Sequence, residues 1–347
     1  MTTRTRYFVI ASLLVLGVGL STGLVAYYVG LPAGAFASRG GPEELGYVPR
    51  DATVVAYANV QEIMASELRQ KIRRALPMQE NGQRELANAT GINLETDIDR
   101  VVACLHPDVD STTMHGAGMV LARGRFDEVK IEALMREHGA HVEDYKGKRL
   151  IVADGDSAGD MTRGHAGSFS LSFMEPGLAA LGSTKLIQSA IDLHQGGANP
   201  QTGLASVTGN EELMNLVRSL DTGNNAWAVG RFDALSSQAH LPDSVSSRLP
   251  AITWFSVGGH VNGGIRGVVR ADARDEEAAN NLRDVIRGFM ALAKMQSGSR
   301  PELQAMMQSL ELGGAGKTVA LSFTVPAEVF DVIGAAANQA VQKPKAH

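Results

Sequence analysis

Apolar and polar positions along this chain follow two rhythms, and each predicts a different element. Val319, Leu321, Phe323 and Val325 alternate with polar neighbours, which predicts a half-buried strand at the end of "LELGGAGKTVALSFTV". Met64, Leu68, Ile72 and Leu76 instead recur every fourth residue through "QEIMASELRQKIRRALP". That spacing predicts one helix, ended by Pro77. Asn59 and Glu62 have the spacing of a capping box at its start. Ala278, Leu282, Val285, Ile286, Phe289 and Ala293 draw an apolar stripe along a helix from Asp275 to Met295.

The same reading predicts strands in "DATVVAYANV", "DRVVACLH" and "GAGMVLARGRF", and hairpins in "HVEDYKGKRLIVAD", "SFSLSFMEPGLAALGS" and "AITWFSVGGHVNGGIRGVVRAD". Helices are predicted over 127–138, "TKLIQSAIDLHQGG", "NEELMNLVRSL" and "PELQAMMQSL". Hairpins outnumber parallel crossovers, so the fold class is α+β: antiparallel sheets with helices packed on one face. The tetrapeptide GRFD occurs at Gly124–Asp127 and again at Gly230–Asp233, each time between an apolar run and a helical pattern. It reads as a strand-to-helix joint, with Asp as N-cap and Phe as the outer half of a hydrophobic staple. Its recurrence points to an internally duplicated unit, with halves at 47–198 and 199–335 and a loose tail at 336–347.

One segment breaks both rhythms. From Tyr7 to Leu31 there is no charged residue, and 25 residues make a helix of about 37 Å, enough to cross a bilayer. Arg4 and Arg6 precede it and no further Lys or Arg comes before Arg39, so residues 1–6 are expected in the cytoplasm and the body outside it. Ala35-x-Ala37 offers a signal-peptidase pattern, but the apolar stretch is longer than a signal peptide uses. The expectation is a single-pass signal-anchor over 7–31, a linker over 32–46, and a body on the periplasmic side of a bacterial inner membrane. The lipid bilayer is then the partner of residues 7–31. Gly19 and Gly23 form a GxxxG through which two anchors could self-associate.

Composition narrows the remaining chemistry. A net charge of −5 and a pI near 6.0 supply no basic surface for nucleic acid. Cys104 is the one cysteine, so no disulfide closes within the chain. "ELGGAGKT" imitates a nucleotide-binding loop, but Glu311 stands where its first glycine belongs and a strand follows where a helix is needed. No nucleotide and no cofactor is expected. Asp154, Asp156 and Asp160 take positions 1, 3 and 7 of a calcium loop, yet Ala158 and His165 replace the ligands at positions 5 and 12. His106, Asp108, Asp110 and His115 gather zinc-binding residue types without zincin spacing. Met290, Met295, Met306 and Met307 read as core packing and not as a metal ladder.

The succession of "YVPRDATVVAYANVQEI", "TDIDRVVACL", "ARGRFDEVKIEALM" and "VEDYKGKRLI" resembles a group of membrane-anchored bacterial proteins of unknown function. The resemblance implies an exported, duplicated α+β body over most of Tyr47 to Ile333 and transfers no functional residue. The function expected is therefore a tethered module that binds a partner protein or envelope component without catalysis. The alternative is an envelope hydrolase or metal-dependent enzyme with a site assembled from dispersed residues, His106, Asp154 and Asp156 first among them.

Overall fold

The computed structural model describes residues 41–75, 91–93, 96–107, 117–153, 169–196, 205–232, 251–296 and 301–330. The anchor segment 7–31, residues 154, 156 and 160, Asp108, Asp110, His115, Asp233 and the tail at 336–347 lie outside the described residues, as does the boundary between the expected halves. No helix among the described residues is long and apolar enough to cross a membrane.

The chain runs β1 (Val54–Asn59), α1 (Val60–Ala65), α2 (Glu67–Ala75), β2 (Ile98–His106), β3 (Ala117–Gly124), α3 (Glu128–Glu137), β4 (His141–Tyr145) and β5 (Lys148–Ala153). It continues through β6 (Phe169–Glu175), β7 (Leu178–Ser183), α4 (Thr184–Gly196), α5 (Glu211–Ser219), β8 (Ala226–Arg231) and β9 (Ile252–Val261). Last come β10 (Gly264–Ala273), α6 (Glu276–Gln296), α7 (Pro301–Gln308), β11 (Glu311–Gly313) and β12 (Thr318–Pro326).

These elements make a mixed helix and strand fold around one large antiparallel sheet. Its order is β11-β12-β10-β9-β8-β1-β2-β3-β7-β6-β5-β4. One sheet joins early and late strands at the centre, where β1 pairs with β8 from Val54 opposite Gly230 to Ala58 opposite Ala226. Outward from that seam, β1-β2-β3-β7-β6 on one side answers β8-β9-β10-β12-β11 on the other. Each arm lays three strands in chain order, makes a helical excursion (α3 or α6), and returns with a hairpin whose second strand pairs first. The β4–β5 hairpin is an addition to the first arm.

Helices cover both faces, not one. Leu178 and Ala180 of β7 pack in the cluster that holds Ile187 and Ile191 of α4 and Leu213 of α5. Ala179, between them, packs with Ile131 of α3. Successive strand residues point to opposite sides, so an apolar run such as "LAAL" is buried from above and below. On α3's side, α6 buries Ala278, Ala279 and Leu282 against Ala273 and Val319. Its stripe then leaves the sheet, with Phe289 and Leu292 about half exposed and Met295 84% exposed. Core packing is therefore the wrong reading for Met295.

Two further expectations change. The predicted helix after β1 breaks at Ser66, which has extended dihedrals. The Ser66 hydroxyl donates to Ile63 O at 2.5 Å and accepts from Arg69 N at 3.2 Å, ending α1 and capping α2. A short polar side chain that bonds its own backbone offers the chain this alternative to a continuous helix. Packing also begins before the expected linker ends: Glu43–Tyr47 is a 3-10 turn in which Glu44 and Leu45 have no exposed surface.

Candidate functional site

An open cleft of about 910 Å³ lies where the first turns of α4 and α5 meet the ends of β1 and β2. Backbone geometry builds one wall: Pro49 bridges Ser206, Arg50 N donates to Ala205 O at 2.9 Å, and Asn210 Nδ2 donates to Arg50 O at 3.0 Å. Asn210 also accepts from Leu213 N at 3.1 Å, capping α5 and holding Glu211 and Glu212 at the rim. Lys185 and Ser189 come from α4. Thr53 N donates to Leu105 O at 2.8 Å, which sets Asp51 beside the last residue of β2. There His106 Nε2 meets Asp51 Oδ2 at 2.8 Å.

Of the residues singled out in the sequence, His106 reaches this cleft, while Asp108, Asp110, His115, Asp154, Asp156 and Asp160 fall outside the described residues. Among the described residues no three His, Cys, Asp or Glu side chains are grouped to hold a metal. Ser189 Oγ donates to Lys185 O of its own helix at 3.0 Å. Cys104 is buried, and burial pushes its thiol up to about 12, far from a reactive thiolate. The arrangement can bind through charge and hydrogen bonds.

A second polar cluster, missed in the sequence, lies at the opposite end of the same strands. Arg100 and Arg123 stand directly opposite each other on β2 and β3. Glu44 enters between them, with its Oε1 at 3.0 Å from Arg100 Nε and 2.5 Å from Arg123 Nε. Arg123 also meets Glu175 at 2.6 Å. That hydrogen bond, working against burial, holds the Glu175 carboxyl below its ordinary range. Tyr47 stacks on His194 with ring centroids 5.1 Å apart. Burial and then the neighbouring Glu175 push its phenol up to about 12. The signal was parity: Arg100 shares a sheet face with Val102 and Cys104, and Arg123 with Leu121 and Met119. An arginine on a core-facing position requires an acid to meet it.

The two GRFD segments stand at unrelated places in the sheet, and of the second only Gly230, Arg231 and Phe232 lie among the described residues. The first ends β3, whose counterpart in the other arm is β10; the second ends β8, whose counterpart is β1. A Cβ on Gly230 would come within 2.7 Å of Val54 Cα, and one on Gly124 would overlap the backbone of Asp97 and Ile98. In both, the following arginine donates its backbone N–H across the gap, Arg231 to Thr53 O at 2.8 Å and Arg125 to Asp97 O. Asp127 accepts from Lys130 N at 3.0 Å as the expected cap, and Phe126 and Ile131 share one apolar cluster. The feature that does recur at equivalent places is the cap after the third strand. Asp275 accepts from Ala278 N at 2.8 Å ahead of α6, as Asp127 does ahead of α3.

Comparison with protein-family models, with curated proteins and with solved structures found no match to this chain.

Proposed function

We propose that this protein is a membrane-tethered extracytoplasmic module that receives a partner protein or envelope component in the cleft between α4 and α5, without catalysing a reaction. The observation that carries the reading is the cleft itself. It is large and open, its rim offers both signs of charge at Arg50, Asp51, Glu211 and Glu212, and its serine is occupied within its own helix. Tethering through residues 7–31 to the periplasmic side of a bacterial inner membrane rests on the uncharged 25-residue run and the arginines before it. Self-association through Gly19 and Gly23 remains part of the proposal.

A photoreactive residue in place of Ser189, introduced into the full-length protein in cells, tests the reading. Irradiation should yield a discrete adduct that the same probe at exposed Glu137 does not yield. Equal, diffuse labelling from both positions overturns it.

One contact favours a second reading, an envelope hydrolase: His106 Nε2 lies 2.8 Å from Asp51 Oδ2 inside the cleft. Hydrolysis of ester or amide probes by the purified protein, lost in His106→Ala, would carry that reading; activity unchanged by the substitution would remove it.

The matched strand order of the two arms supports an internally duplicated unit. An experimental structure in which the five-strand arms do not superpose would count against common descent.

A further inference from the structure

Glu44 and Asp51 are seven residues apart in the segment between the anchor run and β1, and each is bonded to β2. Glu44 binds Arg100 at 3.0 Å, and Asp51 binds His106 at 2.8 Å. Arg100, Val102, Cys104 and His106 are alternate residues of one strand and share one face of the sheet. The segment therefore runs along that face of β2, pinned at both ends, and lays Leu45, Tyr47 and Val48 into the core cluster that contains Cys104. Between the pins its backbone bonds do not go to β2. Val48 O accepts from Val207 N at 2.8 Å, and Arg50 N donates to Ala205 O. It lies on the sheet as a strap, not in it as a strand. The lower end carries the buried Glu44, and the upper end, Pro49–Asp51, is a wall of the cleft. Helix α4 follows the same course, with His194 on Tyr47 and Lys185 and Ser189 in the cleft.

We propose that residues 41–51 form a detachable strap that joins the tether to the cleft, opening as a local unit when the Glu44 pin is released and taking the cleft wall with it. The lower pin dominates. Glu44 has no exposed surface and serves two arginines, while the Asp51 side chain is 70% exposed and its pair is screened by water. An open strap leaves the remaining sheet pairings intact, so it exposes far less surface than global unfolding. The importance given to the cleft wall rests on the binding function proposed above; the strap's opening does not.

The one native thiol reports on the opening, because Cys104 lies on the covered face between the pins. Full-length protein in detergent is treated with a maleimide in a series of low urea concentrations, as wild type and as Glu44→Gln, and labelling is followed by mass. The expected result is labelling about 100-fold faster in Glu44→Gln, the scale of a broken buried ion pair. Its rate should stay nearly flat in low urea, because local opening has a small denaturant slope. Equal rates in the two proteins overturn the proposal. So does a rate that climbs in both with the slope of global unfolding, which circular dichroism measures on the same samples. The thiol needs no partner, so this outcome stands apart from the photocrosslinking result. If the Ser189 adduct forms, Glu44→Gln should weaken it as well.

Discussion

Arg100 and Arg123 face each other directly across β2 and β3, two like charges in register on a half-buried face of the sheet. Opposed like charges destabilise a strand pair, and Glu44 between them turns the repulsion into a bridged triad.

Arg123 carries the most of this cluster, since it meets both Glu44 and Glu175. Arg123→Met should lower stability by about 1–3 kcal/mol, the cost of losing hydrogen bonds to charged groups while Arg100 still compensates Glu44. Urea denaturation followed by circular dichroism measures it. A midpoint within error of wild type would show that Arg100 alone suffices.

The same cluster sets a response to acid. Arg123 holds the folded pKa of Glu175 below its ordinary 4.5, so the pair's contribution is present above about 4.5 and is lost as pH falls through the folded value. Denaturation midpoints below pH 4.5 should fall more steeply for wild type than for Glu175→Gln. Parallel curves would remove Glu175 from the acid response.

At the alkaline end Tyr47 works in the opposite sense. Its phenol is raised from 10.0 to about 12 in the fold, so its contribution is fully present below pH 10 and is lost as pH rises towards 12. Tyr47→Phe should flatten that part of the stability profile. Tyr57 is raised too, by its own burial first, and should leave a residual slope.

Gly230→Ala should destabilise by about 1–3 kcal/mol, because the added methyl would press on the backbone of Val54 across the central seam. Thermal unfolding compared with Gly209→Ala, where nothing lies within 4 Å, separates close approach from a general glycine effect. Equal shifts at the two sites would disprove it.

Asp127→Ala should cost about 1 kcal/mol, the usual worth of an N-cap, and Asp275→Ala should destabilise in the same direction. Loss of partner capture in Asp127→Ala without loss of stability would give the tetrapeptide a role beyond a joint.

Local patterns made most of the elements legible. Alternation located the final strand, and the capping residue Asn59 was found from spacing alone, its side chain accepting from Glu62 N. The break at Ser66 was hidden because a serine within a helical rhythm does not announce that its hydroxyl will bond the backbone on both sides. Of the candidate site, His106 could be singled out by residue type. Its partner Asp51 is 55 positions earlier in the chain, and only strand pairing brings the two together.

The sequence by itself determined where most strands and helices form, because these depend on side-chain rhythm over a few residues. The tertiary structure alone decided that β1 pairs with β8 across 168 to 176 positions, that helices cover both faces, and that the two GRFD segments stand at unrelated places. It also decided that Glu44 closes a triad with arginines 56 and 79 residues away. Such contacts follow from the packing of whole elements and the neutralisation of buried charge, and no local rhythm encodes them.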